Sequence, residues 1–196
     1  MEKQILVFAT NNKHKLEELN NAIGDSFIIK SLKEIGFDGD IEEPFETLEE
    51  NALAKSSFIH KKYNVNCFAD DTGLEISALN GKPGVYSARY AGEACSFEDN
   101  MKKVLKNMKG KEDRSARFRT VISLILDNKE YSFSGTVEGE ILKTKHGEEG
   151  FGYDPIFRPN GYKESFAQMP LSLKNKISHR GKAVKKMIEW LSEDWD

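Results

Sequence analysis

Cysteine is nearly missing from this chain of 196 residues: only Cys67 and Cys95 occur, with no CxxC pair and no His/Cys metal spacing. That excludes a disulfide framework and a structural zinc site, and reduced thiols of a cytoplasmic protein are the expectation. A long apolar run is missing too. The N-terminal one covers residues 5–9 only, too short for a signal-peptide core or a membrane span, so no membrane partner is expected. Nor is there a basic excess: 29 Lys and Arg stand against 32 Asp and Glu, for a net charge of −3 and a pI near 5.9. A general nucleic-acid binder neutralises phosphates with surplus cations, so nucleic acid is not an expected partner. The chain also lacks an internal repeat and any linker long enough to separate independent domains.

What is present is a globular composition, 38% hydrophobic and 31% charged, long enough to bury a core without staples. Residues 1–196 are expected to form one domain, or two small lobes sharing a core. Residues 5–9, ILVFA, read as a fully buried strand, and Thr10-Asn11-Asn12 as a polar turn capping a helix with Leu16, Leu19 and Ile23 on one face. The unpaired N–H groups at such a helix start suit an anion. Residues 34–45, with Gly36, Gly39 and Pro44, form a loop, and Thr47 with Glu50 makes a capping box for a helix ending near Tyr63-Asn64. A short buried strand over residues 65–69 carries Asp70-Asp71 at its end, and Leu74 and Ile76 belong to another strand. Ser96 caps a helix over residues 97–108. Residues 116–126 and 131–142 pair as a hairpin turning at Asp127-Asn128-Lys129, and a helix opening at Ser178 buries Ala183, Val184, Met187, Ile188 and Leu191. Helices mixed with strands predict an α/β fold around a mixed sheet.

The residues that carry chemistry are spread along the chain. Two adjacent carboxylates, Asp70 and Asp71, can hold a divalent cation and orient a water; alone, such a pair more often caps a turn. Glu42-Glu43 offers further oxygen ligands or is simply a solvated acidic loop. Lys13, Lys15, Lys55, Lys174, Lys176 and Arg180 are candidates for a phosphate cradle, although any one surface lysine is more often a solvated charge. Gly150-Phe151-Gly152-Tyr153-Asp154 combines a backbone that a ligand can approach with rings able to stack on a base, or to plug a core. His179 and Arg180 stand at a helix start, where the positive end of the dipole disfavours Arg unless an anion or an acceptor offsets it.

Six stretches, ATNNKHKLEEL, EEPFETLEENALAK, FADDTGLEISALNGKPGVYSARYAG, ARFRT, GFGYDPIF and SFAQMPLSLKNKISHRGKA, resemble the inosine triphosphate pyrophosphatase family in order and spacing, from residue 5 almost to the C-terminus. The resemblance implies an elongated, two-lobed α/β fold around a long mixed β-sheet, with a nucleotide cleft between the lobes, in a homodimer. It implies hydrolysis of ITP, dITP and XTP to monophosphate and pyrophosphate, with Mg²⁺ and no organic cofactor. By the same resemblance Thr10, Asn11, Asn12, Lys13, His14, Lys15 and Lys55 hold the phosphates. Glu42 and Asp71 bind the metal, Asp71 also activating the attacking water, and Thr72 meets the phosphate chain. Phe151, Gly152, Tyr153 and Asp154 embrace base and sugar, and Lys174, His179 and Arg180 complete the base pocket. Three positions depart from the family pattern: Thr72 where Ser is common, Gln168 where Glu is common, and Pro44-Phe45 in the acidic loop, where Pro44 can redirect Glu42 in favour of Glu43.

Overall fold

The computed structural model describes residues 4–23, 27–94 and 96–193; Cys95 and the side chain of Ile23 lie outside the described residues. Among these, seven strands and five α-helices alternate: β1 (Ile5–Phe8), α1 (Lys13–Ile23), β2 (Ile28–Ser31), α2 (Leu48–Tyr63), β3 (Cys67–Ile76), β4 (Pro83–Gly84), α3 (Phe97–Asn107), β5 (Ser115–Leu126), β6 (Lys129–Ile141), β7 (Phe157–Pro159), α4 (Leu171–Ile177) and α5 (His179–Glu193). The sheet runs β2-β1-β3-β5-β6-β7, with β4 beside β3. It is mixed: β1 pairs in parallel with β2 and β3, whereas β3–β4 and β6–β7 are antiparallel. No helix among the described residues is long and apolar enough to cross a membrane.

The chain forms two compact units, one of residues 1–71, 120–135 and 180–196, the other of residues 72–119 and 136–179. In the first, β1 is covered on both faces. Leu6 and Phe8 meet Phe68, Ile122, Leu124 and the α5 residues Ala183, Val184, Met187 and Leu191, and Phe8 stacks on Phe68 at 4.6 Å. Val7 and Ala9 point the other way, to Leu32, Phe37, Ile59, Cys67, Ala69 and Ile125. Alternating side chains that are buried on both faces explain why the strand is an unbroken apolar run. The second unit packs Leu74, Ile76, Met101, Val104, Phe118, Ile141, Tyr153, Ile156, Phe157 and Phe166 into one core.

Local chemistry sets the element ends. Asn12 caps α1, its Oδ1 accepting the His14 and Lys15 N–H groups at 3.0 and 3.3 Å. Thr47 caps α2 through Glu50 N–H, and Asn64 closes that helix at φ 52°. Ser96 and Asp99 form a capping box on α3. Asp127 and Asn128, at φ 49° and 64°, make the two-residue turn joining β5 to β6, since a tight hairpin wants positive φ at both central positions.

One expectation changes. Residues 67–76 are one continuous strand, so Asp70-Asp71 sits inside β3 and not at a strand end. Gly73 permits this: a Cβ there would lie 2.8 Å from the Gly84 carbonyl oxygen, so only glycine lets β4 pair this closely. The helix expected to open at Ser178 is α5, and a short helix not read from the sequence, α4, comes before it. Extended backbone at Ser178 separates α4 from α5, so Ser178 precedes the second helix.

Candidate active site

The first unit gathers most of the charged candidates around Asp70. β3 places this carboxylate inside the protein, 1% exposed. Lys15, one turn into α1, donates to its Oδ1 at 2.8 Å; Arg180, at the start of α5, donates Nε–H to its Oδ2 at 3.1 Å. Lys55 on α2 donates to the Asp70 backbone carbonyl at 2.7 Å and to Glu43 of the acidic loop. Arg180 also donates to Glu18 of α1. Capping by Asn12 starts α1 so that Lys15 and Glu18 share one face, three residues apart.

This cluster sets four carboxylates, Glu18, Glu43, Asp70 and Asp71, against three cations, Lys15, Lys55 and Arg180. Burial alone would raise the Asp70 pKa, but Lys15, Arg180 and Lys55 outweigh it and hold the carboxyl well below the ordinary range. Burial, joined by Lys55 and Arg180, lowers the Lys15 pKa despite Asp70. For Lys55, burial opposes the charge, yet Glu43, Asp71 and Asp70 prevail and raise the pKa. Arg180 is likewise buried against its own charge and is held charged by Glu18 and Asp70.

The remaining first-unit candidates surround this cluster in different states. Thr10 is half-buried, its Oγ1 accepting Asn12 N–H at 3.2 Å. Asn11 donates to the Gly39 carbonyl at 2.8 Å, which ties the polar turn to the acidic loop. Lys13, His14 and Glu42 are exposed. Among the described residues there is no group of three His, Cys, Asp or Glu side chains suited to a metal ion. Mg²⁺ needs less from the protein, usually one or two carboxylates with substrate phosphates and water filling the rest. Glu43 pairs with Lys55, and Asp70 with Lys15 and Arg180; a carboxylate such as Asp71, 6% exposed, is the kind of oxygen donor such an ion takes. The excess carboxylate charge of the cluster favours it.

The second unit holds the other group. Asp154 is 3% exposed; its Oδ2 accepts Lys174 Nζ at 2.7 Å and Phe151 N–H at 2.8 Å. Lys174 in turn lies over the Phe151 ring, 5.0 Å from its centroid. Gly150 has φ 77°, and a Cβ on it would overlap Asp154 Oδ2, so glycine is what lets the loop wrap the carboxylate. Gly152, at φ 63°, meets nothing within 4 Å of its missing Cβ. Tyr153 is buried with its hydroxyl donating to the Ser87 carbonyl at 2.7 Å. The His179 ring stacks on Phe118 at 4.6 Å and 12°, and Thr72 is half-buried on β3.

Of the residues expected from sequence, Lys15, Lys55, Asp71 and Arg180 thus fall in one cluster of the first unit, and Phe151, Asp154, Lys174 and His179 in the second unit. Arg180 and His179, adjacent in sequence, belong to different units. Sequence reasoning passed over Glu18, Ser87 and Phe118. Glu18 left a signal: a carboxylate three residues after Lys15 and next to the buried Leu19.

A mixed α/β sheet with two lysines and an arginine buried against carboxylates is the frame that the charged candidates share. A profile of the Ham1 family matches residues 6–190, and the chain belongs to that family. It is 51% identical over 187 residues to the dITP/XTP pyrophosphatase of Flavobacterium johnsoniae, covering 95% of this chain and 97% of the relative. The dITP/XTP pyrophosphatase of Flavobacterium psychrophilum is 50% identical over 185 residues, 94% and 97% of the two chains. Among solved structures, the Staphylococcus aureus Ham1 protein superimposes with a TM-score of 0.89 at 42% identity, covering 97% of this chain and all of that one.

Proposed function

We propose that this chain is a nucleoside triphosphate pyrophosphatase that hydrolyses dITP, ITP and XTP to the monophosphate and pyrophosphate, clearing deaminated purines from the nucleotide pool. The observation that carries the reading is the buried cluster of Lys15, Lys55 and Arg180 on Asp70, next in sequence to Asp71, in a chain about half identical to dITP/XTP pyrophosphatases. The reading treats residues 1–196 as one functional domain in a cytoplasmic homodimer that acts on free nucleotides, without nucleic acid or membrane as partner.

Thr10, Asn11, Asn12, Lys13, His14, Lys15, Lys55 and Thr72 hold the triphosphate. The α1 start contributes N–H groups and dipole, the lysines contribute charge. Asp71 accepts the proton of the water that attacks the α-phosphorus, and the P–O bond to pyrophosphate breaks as the new P–O bond forms. Asp71 and Glu42 hold Mg²⁺, with Glu43 retained on Lys55. When bound, the ion supplies charge stabilisation for the phosphate oxygens and the leaving pyrophosphate. Lys15 and Lys55 stand ready for the same developing charge; their positions are preset by Asp70, so little reorganisation accompanies the reaction.

The loop of Phe151, Gly152, Tyr153 and Asp154, together with Lys174, binds base and sugar. His179 and Arg180 donate to the 6-keto oxygen, the Arg180 fork being oriented by Glu18 and Asp70. An adenine amino group at that position presents a donor to donors, so ATP is disfavoured.

The test is pyrophosphate release from dITP, ITP, XTP, GTP, ATP and dUTP, with Mg²⁺ and with EDTA. Metal-dependent turnover of the first three far above the others is the expected result. Turnover of dUTP alone, or none, would overturn the function while leaving the fold intact.

A further inference from the structure

We propose that Ser87 is a positioning residue that sets the substrate loop at residues 150–154 through Tyr153; this rests on the function proposed above. Ser87 opens the helical turn Ser87–Arg89, which follows β4 in the second unit. Its hydroxyl donates to the Gly84 carbonyl at 2.6 Å and accepts the Leu74 N–H of β3 at 2.9 Å. Its own carbonyl accepts the Tyr153 hydroxyl at 2.7 Å. One residue therefore links three segments: the strand that carries Thr72, the β4 segment, and the loop that carries Phe151 and Asp154.

The grip is tight where it matters. Gly73 and Gly84 approach so closely that a Cβ on Gly73 would lie 2.8 Å from the Gly84 oxygen, and the Ser87 hydroxyl bonds to both strands beside this contact. Tyr153 is 4% exposed with its ring in the second-unit core. A buried tyrosine needs a partner for its hydroxyl, and here that partner is a carbonyl whose position Ser87 determines. The Asp154–Lys174 ion pair at 2.7 Å and the Tyr153–Ser87 hydrogen bond are both among the contacts that anchor the loop. Tyr153 serves the site by holding Phe151 and Gly152 in place. Its hydroxyl is engaged by the Ser87 carbonyl.

Loss of the link loosens the binding loop without touching the reacting groups, so it acts on KM and leaves kcat largely intact. Steady-state pyrophosphate release from dITP and XTP is measured for wild type, Tyr153→Phe, Ser87→Ala, Ser87→Thr and the Tyr153→Phe/Ser87→Ala pair, with binding of IMP measured alongside. Each of the first two variants should raise KM about tenfold, the equivalent of roughly 1.4 kcal/mol, and weaken IMP similarly, with kcat within about twofold. The double variant should be no worse than about either single one, because Ser87→Ala frees the carbonyl's position and Tyr153→Phe cuts the bond to it, two steps of one link. Ser87→Thr keeps the hydroxyl and should return KM to within about threefold of wild type. Unchanged KM and IMP binding in Tyr153→Phe, multiplicative effects in the double variant, or a fall in kcat at constant KM would each overturn the proposal. If Ser87→Ala fails to fold, Tyr153→Phe, which removes a single oxygen, decides alone. A wild type inactive on dITP and XTP would overturn the function, and the inference with it; an active wild type with unperturbed Tyr153→Phe overturns only the inference.

Discussion

Replacing Asp70 with asparagine removes one charge and leaves the volume of the site nearly unchanged, so no cavity confounds the outcome. In the native protein this carboxylate, 1% exposed, is shared by Lys15 at 2.8 Å and Arg180 at 3.1 Å. Removing one partner from a buried ion pair costs about 3–5 kcal/mol, mostly because the remaining charges stay buried without compensation. For a chain of this size each kcal/mol moves Tm by roughly 2–4 °C, so Asp70→Asn should lower Tm by roughly 6–20 °C at neutral pH. The pH dependence tests the cause. Against the penalty of burial, Lys15, Arg180 and Lys55 depress the Asp70 pKa below its unfolded value. Its stabilising contribution is therefore full above the unfolded pKa, near 4, and is lost as pH falls toward the folded value. Urea unfolding followed by far-ultraviolet circular dichroism should show a gap between wild type and variant that is constant from about pH 7 to pH 5 and narrows below about pH 4. Glu75→Gln is the comparison, since Glu75 pairs with the half-exposed Arg117 and the partly exposed Arg119 and should cost less than Asp70→Asn. A Tm drop under about 2 °C for Asp70→Asn, or a gap indifferent to acid, would refute the reasoning.

Asp71→Asn removes the proposed proton acceptor and metal ligand; turnover of dITP with Mg²⁺ should fall by about a thousandfold or more while circular dichroism stays native, and undiminished turnover would remove Asp71 from the mechanism. Arg180→Lys keeps the charge but not the planar fork, so the kcat/KM ratio of ITP to ATP should fall about tenfold or more; an unchanged ratio would mean that the base is read elsewhere. Gly150→Ala should lower Tm and kcat/KM more than Gly152→Ala. Both positions have positive φ, costing about 1–3 kcal/mol for a side chain, but only at Gly150 does the new Cβ overlap Asp154. Equal effects would sink the steric argument.

Much of the local structure was legible because it depends on neighbours in sequence. The run ILVFA marked a strand buried on both faces, the Thr10-Asn11-Asn12 turn, Thr47 and Ser96 marked helix starts, and Asp127-Asn128-Lys129 marked the hairpin turn. The helix opening at Ser178 was legible, whereas α4, Leu171–Ile177, went unread because seven residues carry too little of a helical period. The Asp70-Asp71 pair was expected at a strand end because two carboxylates resemble turn chemistry. The pairing of β3 with β4 at Leu74 and Gly84, and the cations gathered around Asp70, accompany a strand that continues through them.

By itself, the order of residues determined which chemistry the chain can bring to bear: an acidic pair, a capped helix start with lysines, a glycine–aromatic loop, and a late His179-Arg180 pair. Propensity, capping and hydrophobic period act over a few residues, so they speak from one sequence. Which charge meets which was decided by tertiary structure alone. Lys15 and Arg180 reach Asp70 over separations of 55 and 110 residues, Glu18 meets Arg180 over 162, and Lys174 meets Asp154 over 20. Coulombic attraction and burial depend on distance in space and carry no sequence period. Hence Glu43 was committed to Lys55, Tyr153 to Ser87, and the neighbours His179 and Arg180 to different units only when the chain folded.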